Sequence, residues 1–198
     1  MPVTVDQSTL KTDELGLCTV GQVLAHLQRK NRLVVNVLID GREPDMDRMG
    51  LLRQSPINGH TVYIETADPA EMARGVLDGV AEQLLEADRQ RTEAADFLQQ
   101  NQNIRAMEKL AGCFSAWQNA QQSIEGVAQL MRLDLHTIVA EGRVVPDILL
   151  DFAEQLRQIK SALESRDFVM LSDILVYETT QASAQWRAIL AAIAERLG

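Results

Sequence analysis

Histidine is the side chain best suited to metal binding and to proton transfer near neutral pH, and the chain contains three. His26 falls in a predicted short helix, His60 at the edge of a predicted strand, and His136 after a predicted helix end. No two of them have a spacing that would let them bind one metal ion. The sequence therefore predicts no metal site, and we interpret each histidine as an exposed or hydrogen-bonded side chain.

Two groups of acidic residues have types suited to acid and base chemistry. Asp134 lies two residues before His136, while Asp147, Asp151 and Glu154 share one side of a predicted helix. The first group has no neighbouring nucleophile, and the helix macrodipole explains acids at a helix start without a substrate. The chain also lacks a glycine-rich phosphate loop, Gly-x-Ser-x-Gly and His-Glu-x-x-His. We therefore predict no catalytic and no cofactor-binding residue; an enzyme is not excluded, because active sites need no motif, but a non-enzymatic role is favoured.

The aromatic residues are the remaining candidates for a functional surface. Most lie in apolar stripes of helical spacing, which indicates a buried core. Trp186 has polar neighbours in the sequence, including Gln185 and Arg187, and an amphipathic aromatic side chain of this kind suits a partner surface. We take Trp186, Tyr177 and Trp117 as candidate partner-binding residues.

Four predicted helices after residue 67 must position these side chains. Asp68 and Pro69 form a helix start, because aspartate caps the first turn and proline needs no hydrogen-bond donor there. The polar run 99–103 predicts a turn, Pro146 begins a third helix, and Asp167 caps a fourth. Apolar residues of the third helix repeat every three or four positions at Leu149, Phe152, Leu156, Ile159 and Leu163, a seam suited to an antiparallel neighbour.

The middle of the fourth helix, 177–180, is the weakest helical stretch, because its β-branched threonines lose side-chain freedom in a helix. A kink or break is expected there. In the first helix, Gly75 and Gly79 lie four residues apart, and small residues at this spacing can let a neighbouring backbone approach closely.

The first 67 residues have a strand-like pattern. A strand is predicted at Val3–Val5, and Thr19 and Gln22 form a capping box that opens a short helix. A second strand, Leu33–Ile39, ends at the turn signal Asp40-Gly41, and a third covers 60–66. A short helix or loop is predicted within 45–59.

This order of elements resembles the ubiquitin-like β-grasp plan. Sulfur-carrier and ubiquitin-like modifiers of that plan act through a free C-terminal Gly-Gly, whereas here the unit runs straight into the helix at Asp68. The resemblance therefore implies a small binding or docking module instead of a carrier.

The run 162–178, followed by Trp186, resembles uncharacterised bacterial proteins that pair a small N-terminal α/β unit with a helical bundle. It is also similar in layout to the flagellar export chaperones, small acidic bundles that hold a disordered flagellin tail. This resemblance implies a chaperone-like role and carries over no binding residues.

Composition excludes several classes of function. The net charge of −9, with scattered basic residues, argues against a nucleic-acid partner. No apolar run reaches the roughly 20 residues of a membrane span, and no signal peptide is evident, so we expect a cytoplasmic location without a membrane partner. Cys18 and Cys113 are far apart in apolar surroundings, which predicts two buried free thiols.

These observations predict an α+β protein with a β-grasp-like α/β unit over 1–67 and a mainly antiparallel four-helix bundle over 68–198. The favoured function is a non-enzymatic, chaperone-like interaction or assembly module that binds a protein partner or self-associates as a homo-oligomer through the bundle. The alternative is an enzyme or small-ligand binder with its site at the junction of the two units, with His60, Tyr63 and acids lining a cleft.

Overall fold

The computed structural model describes residues 3–44 and 49–197. Contacts between Cα atoms divide the chain into two compact units, Met1–Met72 and Ala73–Gly198. A small mixed sheet with two helices forms the first unit, and the second is mostly helical, so the protein is α+β as predicted.

The sheet of the first unit has four strands in the order β2-β1-β4-β3. They are β1 (Val3–Val5), β2 (Ser8–Leu10), β3 (Leu33–Ile39) and β4 (Val62–Ala67). The central pair, β1 and β4, is parallel, while β2 and β3 are antiparallel to their neighbours.

Helix α1 (Val20–Arg29) packs its apolar stripe on one face of this sheet. Thr19 and Gln22 form the predicted capping box. A second, short helix, α2 (Met49–Gln54), follows β3. The segment 45–59, predicted as a short helix or loop, is therefore helical in part. Its residues 45–48 lie outside the described residues. Buried apolar residues from helix and sheet form one core, including Val3, Val20, Val23, Val62 and Ile64.

The second unit is built on α3 (Pro69–Gln99) and α4 (Asn103–Met131). Asp68 caps α3 as predicted, since its Oδ1 accepts hydrogen bonds from the main-chain N–H groups of Ala70 and Glu71 at 2.8 and 3.1 Å. The predicted turn between the helices contains Asn101, whose φ of +57° is the left-handed conformation that asparagine tolerates.

Contacts between α3 and α4 define an antiparallel pair. The Arg105 guanidinium lies 5.8 Å from the centre of the Phe97 ring, and Lys109 forms a 2.6 Å ion pair with Glu93. The later residue of α4 contacts the earlier residue of α3, which is the pattern of antiparallel helices. Gly75 and Gly79 have no neighbouring atom within 4 Å of a Cβ built on them, so neither glycine marks a close helix contact.

After α4 the chain forms a short hairpin, β5 (Val139–Ala140) and β6 (Arg143–Val144), and then α5 (Val145–Ser165), with Pro146 in its first turn as predicted. The last segment is α6 (Phe168–Asp173), a π-helix (Ile174–Glu178) and α7 (Thr179–Arg196). Asp167 caps α6 through the Met170 N–H, again as predicted. The helical content agrees with the sequence, but the inserted hairpin and the divided last segment are not a plain four-helix bundle.

Candidate functional site

An aromatic ladder runs through the core of the helical unit. The rings of Phe114, Trp117, Phe152 and Trp186 contact one another in sequence, edge to face, with centroids 5.7, 5.3 and 5.3 Å apart. The ladder joins α4, α5 and α7. Such edge-to-face pairs add about 0.5–1.5 kcal/mol each beyond the apolar area they bury.

Two of the predicted partner-binding residues belong to this ladder. Trp186 and Trp117 are only 2% and 5% exposed, so neither is accessible to a partner in this structure. Of the polar residues beside Trp186 in the sequence, Arg187 is exposed but Gln185 is buried with the tryptophan, so polar neighbours gave a misleading signal. Tyr177 lies at the surface, with 74% of its area exposed.

Tyr177 belongs to a short segment with several exposed apolar side chains. Val169 is 75% exposed and Met170 is also exposed, both on α6, while most of the residues between them and Tyr177 are buried, Asp173 being exposed. Leu171 and Leu175 face the core. We call Val169, Met170 and Tyr177 the exposed apolar segment.

Beneath this segment lies a polar cluster centred on Arg91 of α3. The Arg91 side chain is largely buried; its Nη1 donates to the Leu175 carbonyl oxygen, and its Nε lies 3.4 Å from Asp88 Oδ1. The same Asp88 oxygen accepts a hydrogen bond from the Ser183 hydroxyl. The cluster therefore links α3 to the π-helix and to α7. Sequence reasoning missed it, because an arginine on a helix face is usually solvated.

Cys113 lies near this cluster, with its thiol 3.3 Å from the Ala87 carbonyl oxygen. Burial raises the pKa of the Cys113 thiol to about 11. Cys18, in contrast, is exposed, which corrects the prediction of two buried thiols. It immediately precedes the Thr19 cap and so lies outside the apolar stripe of α1.

We expect a thiol reagent at pH 8 to modify the folded protein once, at Cys18. Cys113 is protected because it is buried and because its raised pKa leaves little thiolate, the reactive form, at that pH. Intact-mass spectrometry would count the modifications, with Cys18→Ser as the control that should take up no reagent. Two modifications without denaturant would contradict the placement of Cys113.

The α/β unit holds two small polar networks. Asp6 accepts hydrogen bonds from the hydroxyl and main-chain N–H of Thr66 and from Arg32, and these bonds, those from Thr66 first, lower the pKa of the Asp6 carboxyl. Asp40 accepts the Thr61 N–H and lies 2.7 Å from His60 Nδ1; the bond to His60 is the main cause that lowers the Asp40 pKa. Both networks tie the end of one strand to its neighbour.

An open pocket of about 380 Å³ lies in the same unit, at the end of β4. Arg32, Thr66, Asp68 and Glu71 contribute its polar lining. Asp68 accepts a hydrogen bond that caps α3, and Arg32 forms an ion pair with Asp6. His60 and Tyr63, which the sequence suggested as lining residues, do not line it; Tyr63 instead donates its hydroxyl to Glu65.

Three of the other chemically suited residues have structural partners. Asp134 caps a short 3-10 turn by accepting the main-chain N–H of His136, and Asp151 pairs with Arg143 at 2.7 Å. Glu154 pairs with Arg157 at 2.5 Å. Within the described part of the chain, no three His, Cys, Asp or Glu side chains come close enough to hold a metal ion. None of the described helices is long and apolar enough to span a bilayer.

A family model called domain of unknown function (DUF8042) matches residues 76–189. The chain belongs to this family. The match begins in α3 and ends in α7, so the family region contains the aromatic ladder, the Arg91 cluster and the exposed apolar segment. Searches of curated proteins and of solved structures gave no match.

Proposed function

We propose that this protein is a non-enzymatic interaction module, chaperone-like in its action, that binds a protein partner or a second copy of itself through the family region. The observation that carries this proposal is the exposed apolar segment. Three large apolar side chains, Val169, Met170 and Tyr177, are exposed within nine consecutive residues of one helical segment. Single exposed apolar residues are ordinary, whereas a group of them close together suits a partner contact.

The state of the polar side chains supports a binding role over a catalytic one. Arg91, Asp88 and Ser183 are engaged with one another or with main-chain atoms. The open groove of about 450 Å³ between α3 and α4 is lined by neutral and small residues together with Glu86, whose carboxylate accepts a hydrogen bond from Gln90.

The charges beside the exposed segment favour one class of partner. Asp173 and Glu178 are exposed on the same segment, and the chain carries a net charge of −9. A partner segment that combines apolar anchors with lysine or arginine would complement this surface, since complementary charges speed encounter and fix the register of docking. Two copies of this chain would bring like charges together.

The alternative proposal is a small-ligand binder or an enzyme. One observation favours ligand binding: the open pocket in the α/β unit, with Arg32 and Glu71 in its lining. Native mass spectrometry of gently purified protein would support this alternative if it detected a bound metabolite.

The interaction role is tested by a double variant, Val169→Glu with Tyr177→Glu. Burying each of these side chains in an interface contributes about 1.5–3 kcal/mol, so we expect the double variant to weaken the complex by at least about tenfold. Light scattering over a concentration series would detect self-association, and co-purification followed by mass spectrometry would detect a partner.

Leu150→Glu is the matched control. Leu150 is 64% exposed on α5, roughly 22 Å along the helix from the end that leads to α6, at 1.5 Å per residue. It should leave association unchanged. A wild-type chain that stays monomeric and retains no protein would refute the proposed role, and so would equal loss of association in the control.

A further inference from the structure

Part of the burial pattern of the last segment is compatible with one uninterrupted α-helix. From Leu171 to Ile193, a subset of the buried residues recurs every three or four positions, at Leu171, Leu175, Thr179, Ala182, Trp186, Ile189 and Ile193, while Ser172, Ile174, Gln185 and Leu190 are buried beside them. A continuous α-helix would place all seven on one face. The segment nevertheless contains a π-helix at Ile174–Glu178, which accommodates one extra residue. The spacing of this subset therefore does not by itself require the π-helix.

Hydrogen bonds at the π-helix show what the extra residue changes. The Thr179 N–H donates to the Ile174 carbonyl, five residues back, whereas in an α-helix it would donate to Leu175. The Leu175 carbonyl instead accepts the Arg91 guanidinium and, at 2.8 Å, the Thr179 hydroxyl. Because Leu175 is fully buried, its carbonyl could not turn to water for a partner.

Arg91 is itself held in place for this contact. Only 9% of the residue is exposed, and its Nε faces Asp88, which also accepts the Ser183 hydroxyl from α7. The Leu175 carbonyl in the π-helix thus accepts one donor from α3, the Arg91 guanidinium, and one from α7, the Thr179 hydroxyl. A buried guanidinium that lost its acceptor would be strongly unfavourable, so the cluster favours the π form over the α form.

We propose that Arg91 is a latch that holds the last segment in its π register and thereby sets the rotation of α6 relative to α7. Without this contact, α6 and α7 join as a continuous α-helix. Because each α-helical residue turns the chain by about 100°, α6 then rotates by about that angle relative to α7. Val169 and Met170 turn with it, so Arg91 controls how the exposed apolar segment is presented.

The register itself is independent of the proposed function; only its consequence for partner binding rests on that proposal. A regulated switch would act on the Arg91 contact, since a partner that binds one register better shifts the population toward it.

A double-mutant cycle on the full-length chain tests the latch. Arg91→Met removes the guanidinium, and deletion of Glu178, an exposed residue, removes the extra residue of the π-helix. After the deletion, Thr179 stands four residues after Ile174, so the same donor and acceptor form an ordinary α-helical bond. The Leu175 carbonyl then meets the Thr180 N–H and no longer needs Arg91.

We expect Arg91→Met alone to lower the Tm and to speed amide exchange over 175–180 by about tenfold, as the Leu175 carbonyl loses its charged donor and keeps only the Thr179 hydroxyl. In the deletion background, the same substitution should cause a much smaller loss. Should Arg91→Met fold only when Glu178 is deleted, that result also supports the latch.

Arg89→Met is the control, because Arg89 lies two residues away on α3 and forms only an exposed pair with Glu86. It should change neither the Tm nor the exchange at 175–180. An equal loss of Tm from Arg91→Met in both backgrounds would overturn the latch. These readouts use the isolated protein, so failure of the latch and failure of the proposed partner binding are observed separately.

Discussion

Replacing Phe152 by alanine is expected to lower the free energy of unfolding of the helical unit by about 3–5 kcal/mol. Phe152 is the middle member of the aromatic ladder, with Trp117 and Trp186 each 5.3 Å from its ring centre. The substitution removes both edge-to-face contacts and leaves a cavity that neighbouring helices cannot fill completely. Because the ring contacts both tryptophans of the chain, denaturation followed by tryptophan fluorescence reports on this site directly.

The control for this substitution is Leu150→Ala, on the same helix. Leu150 is largely exposed, so its loss should change the free energy of unfolding by no more than about 0.5 kcal/mol. If Phe152→Ala were as mild as the control, the ladder would not be a principal element of the core.

Gly21→Ala is expected to destabilise the α/β unit by about 1–3 kcal/mol. A Cβ at this position would lie 2.6 Å from the main-chain oxygen of Arg53 and 3.1 Å from its Cβ, so α1 and α2 would have to separate. This cost exceeds the gain of about 1 kcal/mol that alanine brings to a helix. Exchange of the β4 amides would measure the effect within this unit.

Gly79→Ala is the matched control and should have the opposite sign. No atom lies within 4 Å of a Cβ built at Gly79, so the exposed part of α3 gains only helix propensity, up to about 1 kcal/mol. A stabilising Gly21→Ala would mean that α2 does not pack on α1 as closely as described.

Local signals in the sequence predicted many element boundaries. The strand Leu33–Ile39 and the capping box at Thr19 were predicted from β-branched residues and cap chemistry, and both are confirmed. The helix starts at Asp68 and Asp167 are confirmed for the same reason. These features depend on neighbouring residues, so a single sequence contains the information.

Three short strands were not predicted. Strand β2 is only three residues long, and its turn from β1 uses Asp6 and Gln7 with positive φ, where asparagine and glycine are the usual signal. Likewise, β5 and β6 have two residues each. Segments this short have no measurable period, so only their pairing partners define them.

The candidate site was predicted in part. A kink or break was expected at 177–180 from its β-branched residues; the structure has a π-helix at Ile174–Glu178, which overlaps only the first two of these positions, and the Thr179 hydroxyl bonds back to Leu175. The role of Arg91 was not predictable, because its acceptor is 84 residues away in the chain. Among the three candidate partner-binding residues, only Tyr177 is at the surface.

The sequence by itself determined the α+β class, the amphipathic stripes and the capped helix starts, because these follow from composition, period and local hydrogen bonding. Only the tertiary structure decided which aromatic residues are buried, which register the last segment adopts and which apolar residues remain exposed. A helical stripe specifies a face but not its neighbour. Burial of Trp186 and the contact from Arg91 to Leu175 depend on helices that are far apart in sequence, so no local sequence pattern predicts them.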